Sequence, residues 1–219
     1  MGLEEQTLQN LRENYRRLEL TENQAGFSPF DLFETWFTAA LESKQPEPNA
    51  MTLATVSGEG VPAARIVLLK GFSSRGLAFY TNYNSRKGRE LAKDSRAALV
   101  FFWPQLERQI RIVGITQKLT SEESTDYFNK RPRESQLGAI VSPQSEVIAS
   151  RAELIKKYRA LDEMSGDANL VRPDSWGGYR VIPLEFEFWQ GRPSRMHDRL
   201  VYQRTSGTSQ EWTRTRLAP

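Results

Sequence analysis

The chain has one histidine, His197, inside the run S-R-M-H-D-R at residues 194–199, with Arg195 two places before it and Arg199 two places after. Imidazole exchanges a proton near neutral pH, and guanidinium groups grip anions through a fixed fork of N–H donors. Drawn as a strand, side-chain alternation puts Arg195, His197 and Arg199 on one face and Met196 and Asp198 on the other. Two readings stand: a solvated basic edge strand, or a face that lies against something anionic or electron-rich.

Three other segments offer places for anions. R-I-V-L-L-K brackets an apolar run with Arg65 and Lys70. Five residues apart, they fall on opposite faces of a regular strand, where they either serve two different anions or cap a core strand in solvent. In Y-T-N-Y-N-S-R-K-G-R-E-L a strand ends, Ser85 can cap, and Arg86 and Lys87 stand where a helix begins. Helix starts carry unpaired N–H groups and bind phosphate readily, but their dipole disfavours cations. Two cations at that end suggest a ligand that outweighs the penalty. Tyr127, Arg131 and Ser135 follow at spacings of four and four. One continuous helix would align them, but Pro132 interrupts it, so a helix end and a following turn would have to do so. Phenol, guanidinium and hydroxyl together suit a phosphate monoester, although surface residues often fall on this spacing.

Composition narrows the chemistry. With no cysteine and one histidine there is no thiolate or multi-histidine metal site, and no metal site is expected. A net charge of +3, from 30 basic and 27 acidic residues, is too small to argue for nucleic acid. No apolar run approaches a membrane span and the N-terminus lacks a signal-peptide pattern, so a soluble cytoplasmic protein with no membrane partner is expected. So few nucleophiles and bases point to chemistry carried by a bound cofactor.

The elements that must position these residues are mostly strands. A polar helix is expected over 3–19, and a second from S-P-F-D onward, with Ser28 as cap, Pro29 in the first turn and an apolar stripe of Phe30, Phe33, Trp36, Phe37, Ala40 and Leu41. The period then shortens. M-T-L-A-T-V and V-P-A-A-R-I-V-L-L-K read as a hairpin around S-G-E-G, 76–82 as a third strand, K-G-R-E-L-A-K-D as a short helix, and 97–103 with 107–119 as a second hairpin around Pro104. Helices are expected near 121–130 and 145–163, then strands in W-G-G-Y-R-V-I-P-L-E-F-E-F-W-Q-G, R-L-V-Y-Q-R and E-W-T-R-T-R-L. In the first of these, Ile182, Leu184, Phe186 and Phe188 would form one apolar face. Antiparallel-looking strands without βαβ alternation predict a mainly β fold with helices (α+β), a β-barrel carrying peripheral helices. One domain over 1–219 is expected, with an N-terminal helical segment at about 1–25.

Laid out in this way, the chain resembles the pyridoxine/pyridoxamine 5′-phosphate oxidase family. The likeness runs from L-R-E-N-Y at 11–15 to R-L-A-P at 216–219 through R-I-V-L-L-K, F-Y-T-N-Y-N-S-R-K, L-E-R-Q-I, Y-F-N-K-R-P-R-E-S-Q-L-G-A, P-Q-S and W-G-G-Y-R. Its most specific block is F-E-F-W-Q-G-R-P-S-R-M-H-D-R, which departs from the usual pattern at Met196. The resemblance implies an FMN-binding split β-barrel that forms a homodimer, with FMN at the subunit interface. By motif, FMN would meet Arg65, Ile66, Val67, Leu68, Leu69, Lys70, Tyr80, Thr81, Arg86, Lys87, Gln109, Gln144, Ser145, Trp189 and Arg199. The substrate phosphate would meet Lys70, Tyr127, Arg131 and Ser135, and its ring Arg195 and His197, the expected catalytic pair. Arg12 to Tyr15 would close over the site.

The implied reaction converts pyridoxamine 5′-phosphate or pyridoxine 5′-phosphate to pyridoxal 5′-phosphate, by hydride transfer to the flavin and reoxidation by dioxygen with release of hydrogen peroxide. Arg195 and His197 would chiefly position substrate. The rivals are an FMN oxidase acting on another ring, such as a phenazine precursor, a non-catalytic flavin or pyridoxal phosphate carrier, and a basic RNA-binding barrel. Lys70, Tyr127, Arg131 and Ser135 favour the vitamin B6 reading.

Overall fold

The computed structural model describes residues 15–205 and 211–219. Arg12 and most of the helix expected over 3–19 lie outside them. Residues 15–19 are not helical. Their backbone donors are taken elsewhere: the N–H groups of Arg16 and Arg17 donate to the Glu107 carboxylate, and that of Leu20 to Asp198. The first described helix, α1 (Glu22–Ala25), begins at a capping box made by Thr21 and Gln24.

Helix α2 (Pro29–Glu42) starts where S-P-F-D predicts, with Ser28 Oγ accepting from the Asp31 N–H. It buries Leu32, Phe33, Trp36 and Ala40, whereas Leu41, expected in the stripe, is exposed. The chain continues through β1 (Ala50–Val56), β2 (Pro62–Leu68), β3 (Gly71–Ser73), β4 (Gly76–Asn82), α3 (Arg86–Lys93), β5 (Arg96–Trp103) and β6 (Arg108–Lys118). Helices α4 (Ser121–Lys130), α5 (Arg133–Val141) and α6 (Arg151–Ser165) precede β7 (Trp176–Gln190), β8 (Asp198–Arg204) and β9 (Trp212–Leu217). Among the described residues the strand order is β2-β1-β5-β6-β7-β4-β3, with β8 on β7 and β9 on β8. The registered pairs β1–β2, β3–β4, β4–β7, β7–β8 and β8–β9 are antiparallel.

Three expectations need correction. Pro132 ends one helix but also starts another: its carbonyl accepts from the N–H groups of Ser135 and Gln136, and α5 forms where only a connecting stretch was expected. The helix expected from 145 begins at Arg151, because the capping hydroxyl belongs to Ser150. S-R-M-H-D-R is not a strand. Ser194 and Arg195 have φ of 57° and 61°, a short 3₁₀ turn covers Pro193–Arg195, and β8 starts only at Asp198. The alternation argument for Arg195, His197 and Arg199 therefore fails.

The chain forms two compact units. One comprises the chain up to Pro48 with Val100–Ile112 and Glu185–Pro219; the other comprises Asn49–Leu99 and Val113–Leu184. In the first, Phe33 and Trp36 of α2 meet Phe101 and Phe188 edge-on at 5.4 and 5.3 Å. In the second, Phe79 stacks on Tyr179, and Phe128, Leu137, Leu170 and Trp176 make a separate cluster. Strand β7 contributes to both and changes phase between them. Tyr179 and Val181 are buried in one unit and Phe186 and Phe188 in the other, while Leu184 is 44% exposed. The single apolar face expected from Ile182 to Phe188 does not exist. Among the described residues no helix is long and apolar enough to cross a membrane, and no cluster of acidic or histidine side chains is suited to a metal ion.

Candidate functional site

The second unit contains a cavity of about 830 Å³. Its lining includes four cations, Arg65, Lys70, Lys87 and Arg131, and no carboxylate among the described residues. Such an excess is costly to maintain in a recess unless an anion completes it. Arg65 and Lys70 face the same space, contrary to the parity argument: β2 ends at Leu68, so strand alternation no longer governs Lys70. Ile66, Val67, Leu68, Tyr80, Thr81 and Gln144 also line it. Leu69 is buried in the core, and neither Arg86 nor Ser145 reaches the lining.

At one end lies the start of α3. Ser85 Oγ accepts from the Gly88 N–H and donates to the Asn82 carbonyl, which fixes the turn out of β4. Position 88 must lack a side chain, since a Cβ there would come within 2.2 Å of the Tyr83 carbonyl oxygen. Lys87 is half-buried and its Nζ donates to Thr81 Oγ1 and Gln144 Oε1, both at 3.3 Å. Burial first, then the nearby Arg65 charge, lower its pKa below the ordinary lysine value. Arg86 is paired within its own helix. Its Nε binds Glu90 at 2.9 Å, one turn along the helix, so its unfavourable place at the helix start is offset within the helix.

Glu90 was not picked out from the sequence. It is 5% exposed and accepts from Thr55, Arg86 and Arg65, the last at 2.9 Å. Burial alone would raise its pKa, but these three hydrogen bonds hold it below the ordinary glutamate value of 4.5.

Tyr127, Arg131 and Ser135 line the same cavity, from α4, its C-terminal cap and α5 respectively. Tyr127 stacks on Tyr80 with ring centroids 3.9 Å apart, and Tyr80 stacks on Trp176 at 5.5 Å. The Arg131 guanidinium lies 4.6 Å from the centre of the Trp176 ring. Its Nη1 is buried and no described group accepts from it. Trp176, Asn82, Pro132, Gly138, Ala139 and Ser142 are lining residues that the sequence reading missed. The W-G-G pair was the available signal, because small residues mark close approach.

The other expected residues belong to the first unit. Tyr15 packs edge-on to Trp189 at 5.7 Å and to His197 at 6.0 Å, and His197 lies 4.6 Å from Trp189. Tyr15 requires the glycine at 191, where a Cβ would sit 2.6 Å from its ring. The Arg192 N–H donates to His197 Nδ1 at 3.1 Å, so the neutral ring carries its proton on Nε2. Burial, then Arg195, depress the pKa of His197, which favours this neutral form. Nε2 can donate to a substrate oxygen but cannot accept a proton in that tautomer. Arg199 binds the buried Glu187 through Nε and Nη2, both at 2.8 Å, and Arg111 binds the other oxygen of Glu187 at 2.9 Å. Arg195 is exposed, and Gln109 lies in β6.

With this geometry in hand, comparison with known proteins is informative. Residues 37–164 match the family described as pyridoxamine 5′-phosphate oxidase, and residues 176–219 match the pyridoxine 5′-phosphate oxidase C-terminal dimerisation region. The chain is 54% identical over 213 residues to the pyridoxine/pyridoxamine 5′-phosphate oxidase of Burkholderia lata, covering 97% of this chain and 99% of that protein. The corresponding protein of Salinibacter ruber is 52% identical over 213 residues, with the same coverage. Among solved structures, PhzG of Burkholderia lata, crystallised with tetrahydrophenazine-1-carboxylic acid, superposes with a TM-score of 0.88 at 29% identity. That match covers 94% of this chain and all of PhzG. A pyridoxamine 5′-phosphate oxidase-related, FMN-binding protein of Nostoc punctiforme has a TM-score of 0.73 at 18% identity over 89% of this chain and 100% of its own, a likeness of fold. The fold is the FMN-binding split β-barrel.

Proposed function

Because the chain belongs to the pyridoxamine 5′-phosphate oxidase family, we propose that it converts pyridoxamine 5′-phosphate and pyridoxine 5′-phosphate to pyridoxal 5′-phosphate in vitamin B6 biosynthesis. The cofactor is FMN. The observation that carries the substrate assignment is the cavity with four cations and no carboxylate. Glu90, outside the lining, already pairs with Arg65, but Lys70, Lys87 and Arg131 still exceed the charge of one phosphate, whereas a phosphorylated flavin and a phosphorylated pyridine together would satisfy it.

The chain's own residues fit FMN. Lys87 is a half-buried ammonium beside Arg65 whose hydrogen-bond partners are both neutral oxygens, as expected of a group that awaits an anionic phosphate. We assign Arg65, Thr81, Lys87 and Gln144 to the cofactor, with Trp189 and Arg199 as further contacts. What FMN supplies when bound is two-electron acceptance, with dioxygen as the final oxidant. Lys70, Tyr127, Arg131 and Ser135 would grip the substrate phosphate, Arg195 would hold its ring, and His197 would donate from Nε2 to the hydroxyl oxygen on that ring. Fixing both rings supplies much of the rate through orientation. The dimerisation region at 176–219 supports a homodimer as the working form.

The test is anaerobic mixing of the FMN-loaded protein with pyridoxamine 5′-phosphate. Bleaching near the flavin maximum, with colour restored by air and pyridoxal 5′-phosphate released, is the expected result. The likeness to PhzG favours one other reading, oxidation of a reduced phenazine. Bleaching by that substrate alone would replace the vitamin B6 assignment, and bleaching by neither would indicate a carrier.

A further inference from the structure

We propose that Trp176 is a positioning residue for the substrate phosphate: its indole face holds Arg131 in place while leaving the guanidinium charge wholly available to the ligand. The inference rests on the reading of Arg131 as a phosphate contact and extends it to a residue with no assigned role.

Arginines that must be held still are commonly paired with a carboxylate, as Arg65 is with Glu90, which stands outside the cavity lining. A carboxylate at Arg131 would compete with the incoming phosphate for the same donors. An aromatic face orients a cation through its quadrupole and takes none of its in-plane N–H groups. The surroundings of Arg131 follow that design. Pro132 keeps the preceding residue out of the helical region, and Arg131 has φ −76° and ψ 148°, so its backbone is set. Its guanidinium lies over Trp176 at 4.6 Å, with the Phe128 ring centre farther off at 5.9 Å. Nη1 is buried and unpartnered among the described residues.

Trp176 is itself rigid. It is 6% exposed, stacks within 11° of the Tyr80 ring plane and meets Phe128 edge-on at 5.4 Å. Its backbone N–H donates to Pro173, and its carbonyl accepts from Arg172. The indole is therefore a fixed plate, and the orphaned donor beside it needs an anionic acceptor.

The experiment compares wild type, W176F and W176L in the FMN-loaded protein. Calorimetry measures binding of inorganic phosphate, and steady-state kinetics gives KM and kcat for pyridoxamine 5′-phosphate. W176L is expected to weaken phosphate binding and raise KM about tenfold, with kcat within about twofold; W176F, which keeps a ring, should recover most of the loss. Flavin content should match wild type in both. Unchanged phosphate affinity in folded W176L would overturn the proposal, as would parallel loss of flavin and kcat, the mark of a purely structural role. If W176L does not fold, W176F alone decides: about threefold weaker phosphate binding supports the proposal and no change defeats it. Phosphate binding does not depend on turnover, so a protein inactive on pyridoxamine 5′-phosphate would end the vitamin B6 reading while leaving this test intact.

Discussion

Arg65 and Arg131 line one cavity and are held by opposite means. Arg65 is clamped at 2.9 Å by Glu90, which also takes Arg86 and Thr55. Arg131 has no carboxylate among the described residues and rests on an indole. At the carboxylate-backed end Arg65 is already paired before any ligand arrives, so its order is intrinsic to the fold. The indole-backed end retains its charge and has a polar atom waiting for a partner. A resident cofactor and a substrate that must come and go make these two different demands. Disturbing the first end should therefore cost stability, and disturbing the second should cost function.

The largest effect is expected at Glu90. Removing one partner of a buried ion pair leaves the other charge uncompensated, so Glu90→Ala should destabilise the protein by about 3 kcal/mol, read as a lower urea midpoint. Acid behaviour gives an independent check. Hydrogen bonds hold the folded-state pKa of Glu90 below 4.5 despite burial, so the unfolded chain takes up the proton first as pH falls. Its contribution to stability is full above about pH 4.5 and fades as pH drops through the folded value. Part of the wild-type acid limb should vanish in Glu90→Ala. An unchanged limb would mean that Arg65 and Arg86 find other anions.

A smaller effect, opposite in kind, is expected from Arg131→Met. No carboxylate is orphaned and a burial cost is relieved, so stability should stay within about 1 kcal/mol of wild type. Losing charged hydrogen bonds to a phosphate should weaken substrate binding by about 2 kcal/mol, roughly thirtyfold in KM. Should Arg131→Met instead unfold as readily as Glu90→Ala, the contrast between the two ends would collapse.

How much of this was legible in the sequence follows the range of each interaction. Ser28 before Pro29, the 76–82 strand and the Ser85 cap depend on neighbours within a few residues, and all formed where expected. Tyr127, Arg131 and Ser135 were legible for the same reason, with Pro132 correctly read as the break between them. Periodicity failed wherever an element stopped being regular. Lys70 lies beyond the end of β2, β7 changes phase near Leu184, and positive φ angles at Ser194 and Arg195 break the run around His197. The partners that tune the site escaped altogether. Glu90 is 25 residues from Arg65, and Trp176 meets Arg131 only through tertiary packing. Nothing in local spacing brings such pairs together.

The mildest perturbation separates the cavity's space from its charge. Gly138 lies within α5 and lines the cavity, its φ is not positive, and a Cβ built there meets nothing within 4 Å. Alanine suits a helix better than glycine by about 0.5–1 kcal/mol, so Gly138→Ala should raise the melting temperature by roughly 1–4 °C. A single methyl occupies little of 830 Å³, so KM should change by less than about threefold if the substrate is held at Arg131 and Ser135 and stands clear of Gly138 itself. Stabilisation together with a KM many times higher would mean that the ligand seats directly against Gly138. The far end of the cavity would then select by shape as well as charge, and the simple division between a structural and a functional cation would need a third, steric component.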